Sequence, residues 1–144
     1  SSPSRGLGDV YKRQTEYRYL QVISEAADVL LRRAGLDADY VAGGYSFFTV
    51  ETHIRHIDEA KLGDRLTVSI QILLAEAKKL HIFHTVTQQD GVVVATGEQM
   101  CLHVNLKTSR SEPMCTPVAE AFAELARAHQ SLPFPEDAGR SIGA

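Results

Sequence analysis

A chain of 144 residues with 44% hydrophobic content can bury one core and not two. A formal net charge of −3 with no Lys/Arg block excludes a nucleic-acid partner held mainly through its phosphates. Cys101 and Cys115 are the only cysteines and no long apolar run occurs, so the expected setting is reduced and cytoplasmic, with no membrane partner.

The opening segment, SSPSRGLGDVYKRQ, has no alternating apolar run and reads as a non-native adapter or cloning scar over 1–14. From Glu16 to Ala34 apolar residues recur every three or four positions (Leu20, Ile23, Ala27, Leu30, Leu31, Ala34), one stripe of a helix. Thr15 is its expected N-cap and Gly35 its stop. A first long strand carries VETHIRH. In the second, Leu66, Val68, Ile70, Ile72 and Leu74 share a face, with Leu73 the one apolar residue opposite. Leu80, Ile82 and Val86 alternate with His81, Thr85 and Thr87 in the third, and Asp90-Gly91 marks a tight hairpin. In the fourth, Val92, Val94, Met100, Leu102, Val104 and Leu106 form the expected dry face, interrupted by Thr96 and Glu98. Thr116-Pro117 opens a second helix reaching about His129, and 132–144 is a Pro/Gly-rich irregular tail. One long helix followed by four antiparallel strands predicts an α+β hotdog domain over 15–131, with the helix laid on the sheet's apolar face.

TEYRYLQV, VETHIRH, KKLHIFH and ATGEQMCLHVN are the most specific wording. Through them the chain resembles the 4-hydroxybenzoyl-CoA thioesterase family of hotdog proteins, nearest its betainyl-CoA thioesterase branch associated with carnitine dehydrogenase. The resemblance covers Thr15 to about Ile142 and implies that this domain is truncated at its N-terminus. It implies an antiparallel sheet wrapped around one long helix, plus a C-terminal helix. It further implies cofactor-free hydrolysis of a short acyl-CoA by a homodimer or dimer of dimers, with active sites at the subunit interface. The family places its catalytic carboxylate on a turn before the helix; Asp9 holds that slot by counting back from Glu16, without the turn-forming neighbours.

Thioester hydrolysis needs a base or nucleophile on one side of the carbonyl and donors for the developing oxyanion on the other. Free backbone N–H groups at a helix start near Glu16, Tyr17 and Arg18 would supply the donors. Asp9, Glu25 and Glu98 are the candidate catalytic carboxylates. Glu98 could equally be a structural partner of Lys78, Arg55 or a strand-edge amide. His53-x-x-His56 and His81-x-x-His84 look like ligand pairs, but residues three apart on a strand point to opposite faces, so no metal site is expected. His53 is expected to hydrogen-bond substrate or interface. A quaternary ammonium is recognised by aromatic faces and carboxylates, which nominates Tyr17, Tyr19, Tyr45, Phe47 and Glu51, the last three on one face of a regular strand. Lys78 and Lys79 are placed to meet the phosphates of coenzyme A. A non-catalytic acyl-CoA-binding module is the alternative function, and a hydroxyacyl-CoA dehydratase ranks behind it because the helix lacks an Asp/His hydration motif.

Overall fold

The structure, a computed structural model, describes the backbone of residues 3–61 and 63–139 and side chains from residue 17 onward. Helix α1 spans Pro3–Arg33, and a five-residue helix α2, Ala38–Ala42, is capped by Asp37, whose carboxylate accepts from Tyr40 N. Strands β1 (Tyr45–His56), β2 (Thr67–Ala75), β3 (Lys79–Thr87) and β4 (Val93–Asn105) follow, then the short β5 (Arg110–Ser111) and helix α3 (Thr116–His129). The strands form one antiparallel sheet in the order β1-β4-β3-β2, with β5 added to β4. This is the expected α+β hotdog arrangement; α2 and β5 are too short to show a period in sequence.

The sheet has an inner face against the helices and an outer face. On the inner face Tyr19 and Ile23 of α1 meet Val86, Val94 and Ala95, while Leu31 and Ala34 join Ile72, Leu80, Ile82, Cys101, Val118 and Phe122. Each fully buried large apolar side chain here contributes about 1.5–3 kcal/mol. The helix comes closest at Gly97, where a Cβ would lie 2.4 Å from Ile23 Cδ1.

That approach corrects the expected dry face of β4. Gly97 pairs with His84 and Ile54, and Cys101 with Leu80, so Ala95, Gly97, Gln99, Cys101 and His103 face the helices. Thr96, Glu98, Met100 and Leu102 face outward. Small side chains, not the most hydrophobic ones, mark a strand on which a helix lies close.

Three register shifts alter the alternation; the one between Val86 and Thr87 leaves Val94 of β4 as an extra residue, which joins Ala95 against α1. In β1 the register shifts between Thr49 and Glu51, which sends Tyr45, Phe47 and Thr49 inward but Glu51, His53 and Arg55 outward. In β2 the shift between Ile72 and Leu74 makes Leu73 the extra residue, pairs Leu74 with outward-facing His81 and returns Ala75 to the inner face. The hairpin at Asp90-Gly91 forms as expected, with Gly91 at φ 87 and Val92 N donating to Asp90 Oδ1. Acceptance of that backbone hydrogen bond is the main cause holding the Asp90 carboxyl below its ordinary range.

After α3 the chain turns over the β2 edge. Ile72 N donates to His129 Nδ1 at 2.9 Å and Gln71 Nε2 to Pro133 O at 3.3 Å. Residues 131–139 then cross to β1 and β4 as an irregular strap.

Candidate active site

Helix α1 begins at Pro3, so Thr15 lies inside it and does not cap it. The backbone N–H groups of Glu16, Tyr17 and Arg18 therefore belong to helical hydrogen bonds and do not form the expected oxyanion donors. The Asp9 and Glu16 side chains lie outside the described residues. Tyr17 is exposed, whereas Tyr19 is 1% exposed in the core. The Tyr19 hydroxyl donates to Asp58 O and accepts from Ala60 N, pinning the β1–β2 loop; burial raises its pKa. Neither residue meets Tyr45 or Phe47 in a cage.

Tyr45 and Phe47 already have an occupant. Tyr45 stacks on the His103 ring at 5.3 Å and Phe47 meets it edge-on at 5.1 Å. His103 is itself completely buried. Its Nδ1–H donates to Glu112 O at 2.7 Å, which leaves Nε2 to accept from the Tyr40 hydroxyl, also at 2.7 Å. Tyr40 in turn accepts from Cys115 N. Burial, reinforced by the Cys115 side chain, pushes the Tyr40 pKa up to about 12. The β1 bulge removes Glu51 to the other face, so the expected Tyr45–Phe47–Glu51 cage does not exist within one chain.

Two places remain. The first is a groove of about 430 Å3 between α1 and the edge of β2, lined by Val22, Glu25, Val29, Arg33, Val68 and Ile70 among others. It is apolar except for Glu25 and Arg33 at its rim, and Glu25 accepts from Gln21 Nε2 at 3.1 Å.

The second is on the outer face and gathers several of the expected residues. Glu98, paired with His53 across β1 and β4, accepts from His81 at 2.5 Å. With the Nε2–H turned to the carboxylate, a neutral His81 carries its lone pair on Nδ1. Both Glu98 oxygens also take Gly139 N, at 2.8 and 3.0 Å. Arg55 pairs with Asp137 of the strap. Glu98 is thus bonded to His81 and Gly139, not to Lys78 or Arg55. Lys79 faces the same side but pairs with Glu76 at 3.7 Å, and Lys78 is exposed at the preceding turn. The Glu98–His81 contact is diagonal across β3 and β4, so only the strand register, not either motif alone, reveals it.

His84 is the inward counterpart. Its Nε2–H donates to Gln99 Oε1 at 2.8 Å, while Nδ1 meets no protein partner among the described residues. Burial pushes its pKa below the ordinary value. Among the described residues no three His, Cys, Asp or Glu side chains gather as a metal site, and none of the helices is long and apolar enough to cross a membrane.

A helix-backed antiparallel sheet with a carboxylate–imidazole pair defines the class: a hotdog domain with hydrolase-type side chains. The thioesterase-like superfamily model matches residues 9–140, and the chain belongs to that family. It is 46% identical over 139 residues to the L-carnitine dehydrogenase/betainyl-CoA thioesterase of Agrobacterium fabrum, covering 96% of this chain and 28% of that protein. The chain thus spans under a third of that relative's length. It is 42% identical to the betainyl-CoA thioesterase of Pseudomonas aeruginosa, covering 87% of this chain and 80% of that one. A Staphylococcus aureus structure in complex with CoA superposes with a TM-score of 0.82 at 28% identity, covering 88% of this chain and 81% of that one.

Proposed function

We propose that this chain is a cytoplasmic acyl-CoA thioesterase that hydrolyses betainyl-CoA to betaine and coenzyme A. The observation that carries the substrate is the 42% identity to a betainyl-CoA thioesterase of which this chain covers 80%. His81 Nδ1 is the proposed base: it takes a proton from water as the oxygen attacks the thioester carbon, and Glu98 holds the resulting imidazolium. Collapse of the tetrahedral intermediate breaks the C–S bond, and the departing thiolate takes the proton back from His81. Glu25 and the apolar groove beside it are the second place where a short acyl group fits.

A homodimer is part of the same proposal. Among the described residues β1 pairs only with β4, and Phe48 and Val50 on this edge strand are 48% and 50% exposed. Continuing the sheet across that edge covers both and places Glu51 and His53 of each copy near its partner.

The test is thiol release from betainyl-CoA and butyryl-CoA. His81→Gln is expected to lower kcat by about 100-fold or more on betainyl-CoA, and Glu98→Gln to follow it. Unchanged kcat in both variants would remove the pair from the mechanism, and equal kcat/KM on the two substrates would remove the betainyl preference. One observation favours a second reading, an acyl-CoA-binding module without hydrolysis: Glu16–Arg18 lie within α1, where their amides are already bonded. Stabilisation by acyl-CoA without thiol release would select it.

A further inference from the structure

The strap over the outer face has an unusual attachment. Its large apolar side chains point away from the protein, with Leu132 and Phe134 47% and 65% exposed. Polar ties join it to the sheet: Gln71 to Pro133 O, Arg55 to Asp137, and Gly139 N to Glu98. The Arg55–Asp137 pair, 38% and 24% exposed, is only partly shielded, so water still competes for both partners. A segment fastened in this way opens more readily than one with buried apolar anchors.

The same ties occupy the groups that a substrate would use. Gly139 N sits on both oxygens of the carboxylate that orients His81. Asp137 places a carboxylate on the Arg55 guanidinium, a group suited to phosphate as well as carboxylate. Arg55, His53 and Glu51 lie along β1 on the outer face, so an anion held at Arg55 would be beside the Glu98 row.

We propose that residues 131–139 form an autoinhibitory lid in which Asp137 stands on Arg55 in place of an anionic group of coenzyme A, making Arg55 an anchor for that ligand. Opening frees the guanidinium for the phosphate end and frees the Glu98 oxygens from Gly139, so ligand binding and exposure of the His81 pair are one event. The inference rests on coenzyme A thioesters being the substrate class.

Isothermal titration of free coenzyme A into the full chain tests it. Asp137→Asn is expected to tighten Kd by about two- to fivefold, since a partly solvated ion pair no longer competes. Arg55→Gln is expected to weaken Kd, and Asp137→Asn added to Arg55→Gln to change nothing further. No tightening in Asp137→Asn, or the same tightening without Arg55, overturns the lid; so does a lack of coenzyme A binding by all four proteins. Thiol release from betainyl-CoA is measured separately on the same samples. Its absence with the binding pattern intact removes the hydrolase and leaves the lid, whereas hydrolysis without the binding pattern removes the lid alone.

Discussion

His81 and His84 stand on the same strand and serve opposite faces of the sheet. His84 is sealed beneath α1, donates to a neutral amide and has its charged form disfavoured by burial. His81 remains partly open to solvent and touches the Glu98 carboxylate. Residue type therefore says little about role here; the face does. The inner face spends its polar atoms on fixing the core, as His103, Tyr40 and Glu112 also do, while the outer face keeps charged groups under a removable segment.

The largest effect expected from that contrast is in packing. Phe122→Ala on the inner side should cost about 3–5 kcal/mol by urea unfolding, through lost burial and a residual cavity. Phe134→Ala on the strap should stay within about 0.5 kcal/mol. A comparable cost for Phe134 would make the strap part of the core and erase the distinction between the faces.

Next in size is Gly97→Ala. The added methyl would meet the fully buried Ile23 side chain at 2.4 Å, for an expected loss of about 1–3 kcal/mol. Ile23→Val in the same chain should recover part of it, because the nearest clashing atom, Cδ1, is gone.

A pH series sharpens the comparison of the two histidines. The His84 pKa is lowered in the folded chain, so below its unfolded value of about 6.5 the unfolded state binds more protons. Stability contributed by this site is present above that pH and lost as pH falls, at no more than about 1.4 kcal/mol per unit for one proton. Comparing urea midpoints of the parent and His84→Gln between pH 7.5 and 5.5 isolates that loss; the same slope in both chains would assign it elsewhere. Arg55→Gln is expected to cost only about 0–1 kcal/mol in stability, because the guanidinium is 38% exposed and screened by solvent.

Much of the fold was legible because its elements are long and periodic. The 3.6-residue stripe from Leu20 to Ala34 does lie toward the sheet at Ile23, Ala27, Leu31 and Ala34, although Leu20 itself is exposed, and the Asp90-Gly91 hairpin joins β3 to β4. The inner face of β4 was not legible from hydropathy, since α1 demands a glycine there and tolerates Gln99 and His103. The start of α1 was misplaced because Thr15 has the chemistry of a cap while the chain before it continues in helix. At the candidate site Glu98 and His53 emerged from sequence, but the Glu98 partners His81 and Gly139, and the Arg55–Asp137 pair beside them, depend on register and on the path of the tail. Tyr45 and Phe47 were correctly seen as sharing a face; the ring that fills the space between them comes from a strand far away in sequence.

Val50 gives the first strand a property resembling a reading frame. Residues before it are decoded to the helix side by one parity and residues after it by the other. Deleting Val50 would leave nearly the same composition, yet Glu51, His53 and Arg55 would be translated into the interior, or Tyr45 and Phe47 out of it. Changes in the length of β1 are therefore tolerable in steps of two, and a single-residue change acts on the sheet as a frameshift acts on a message.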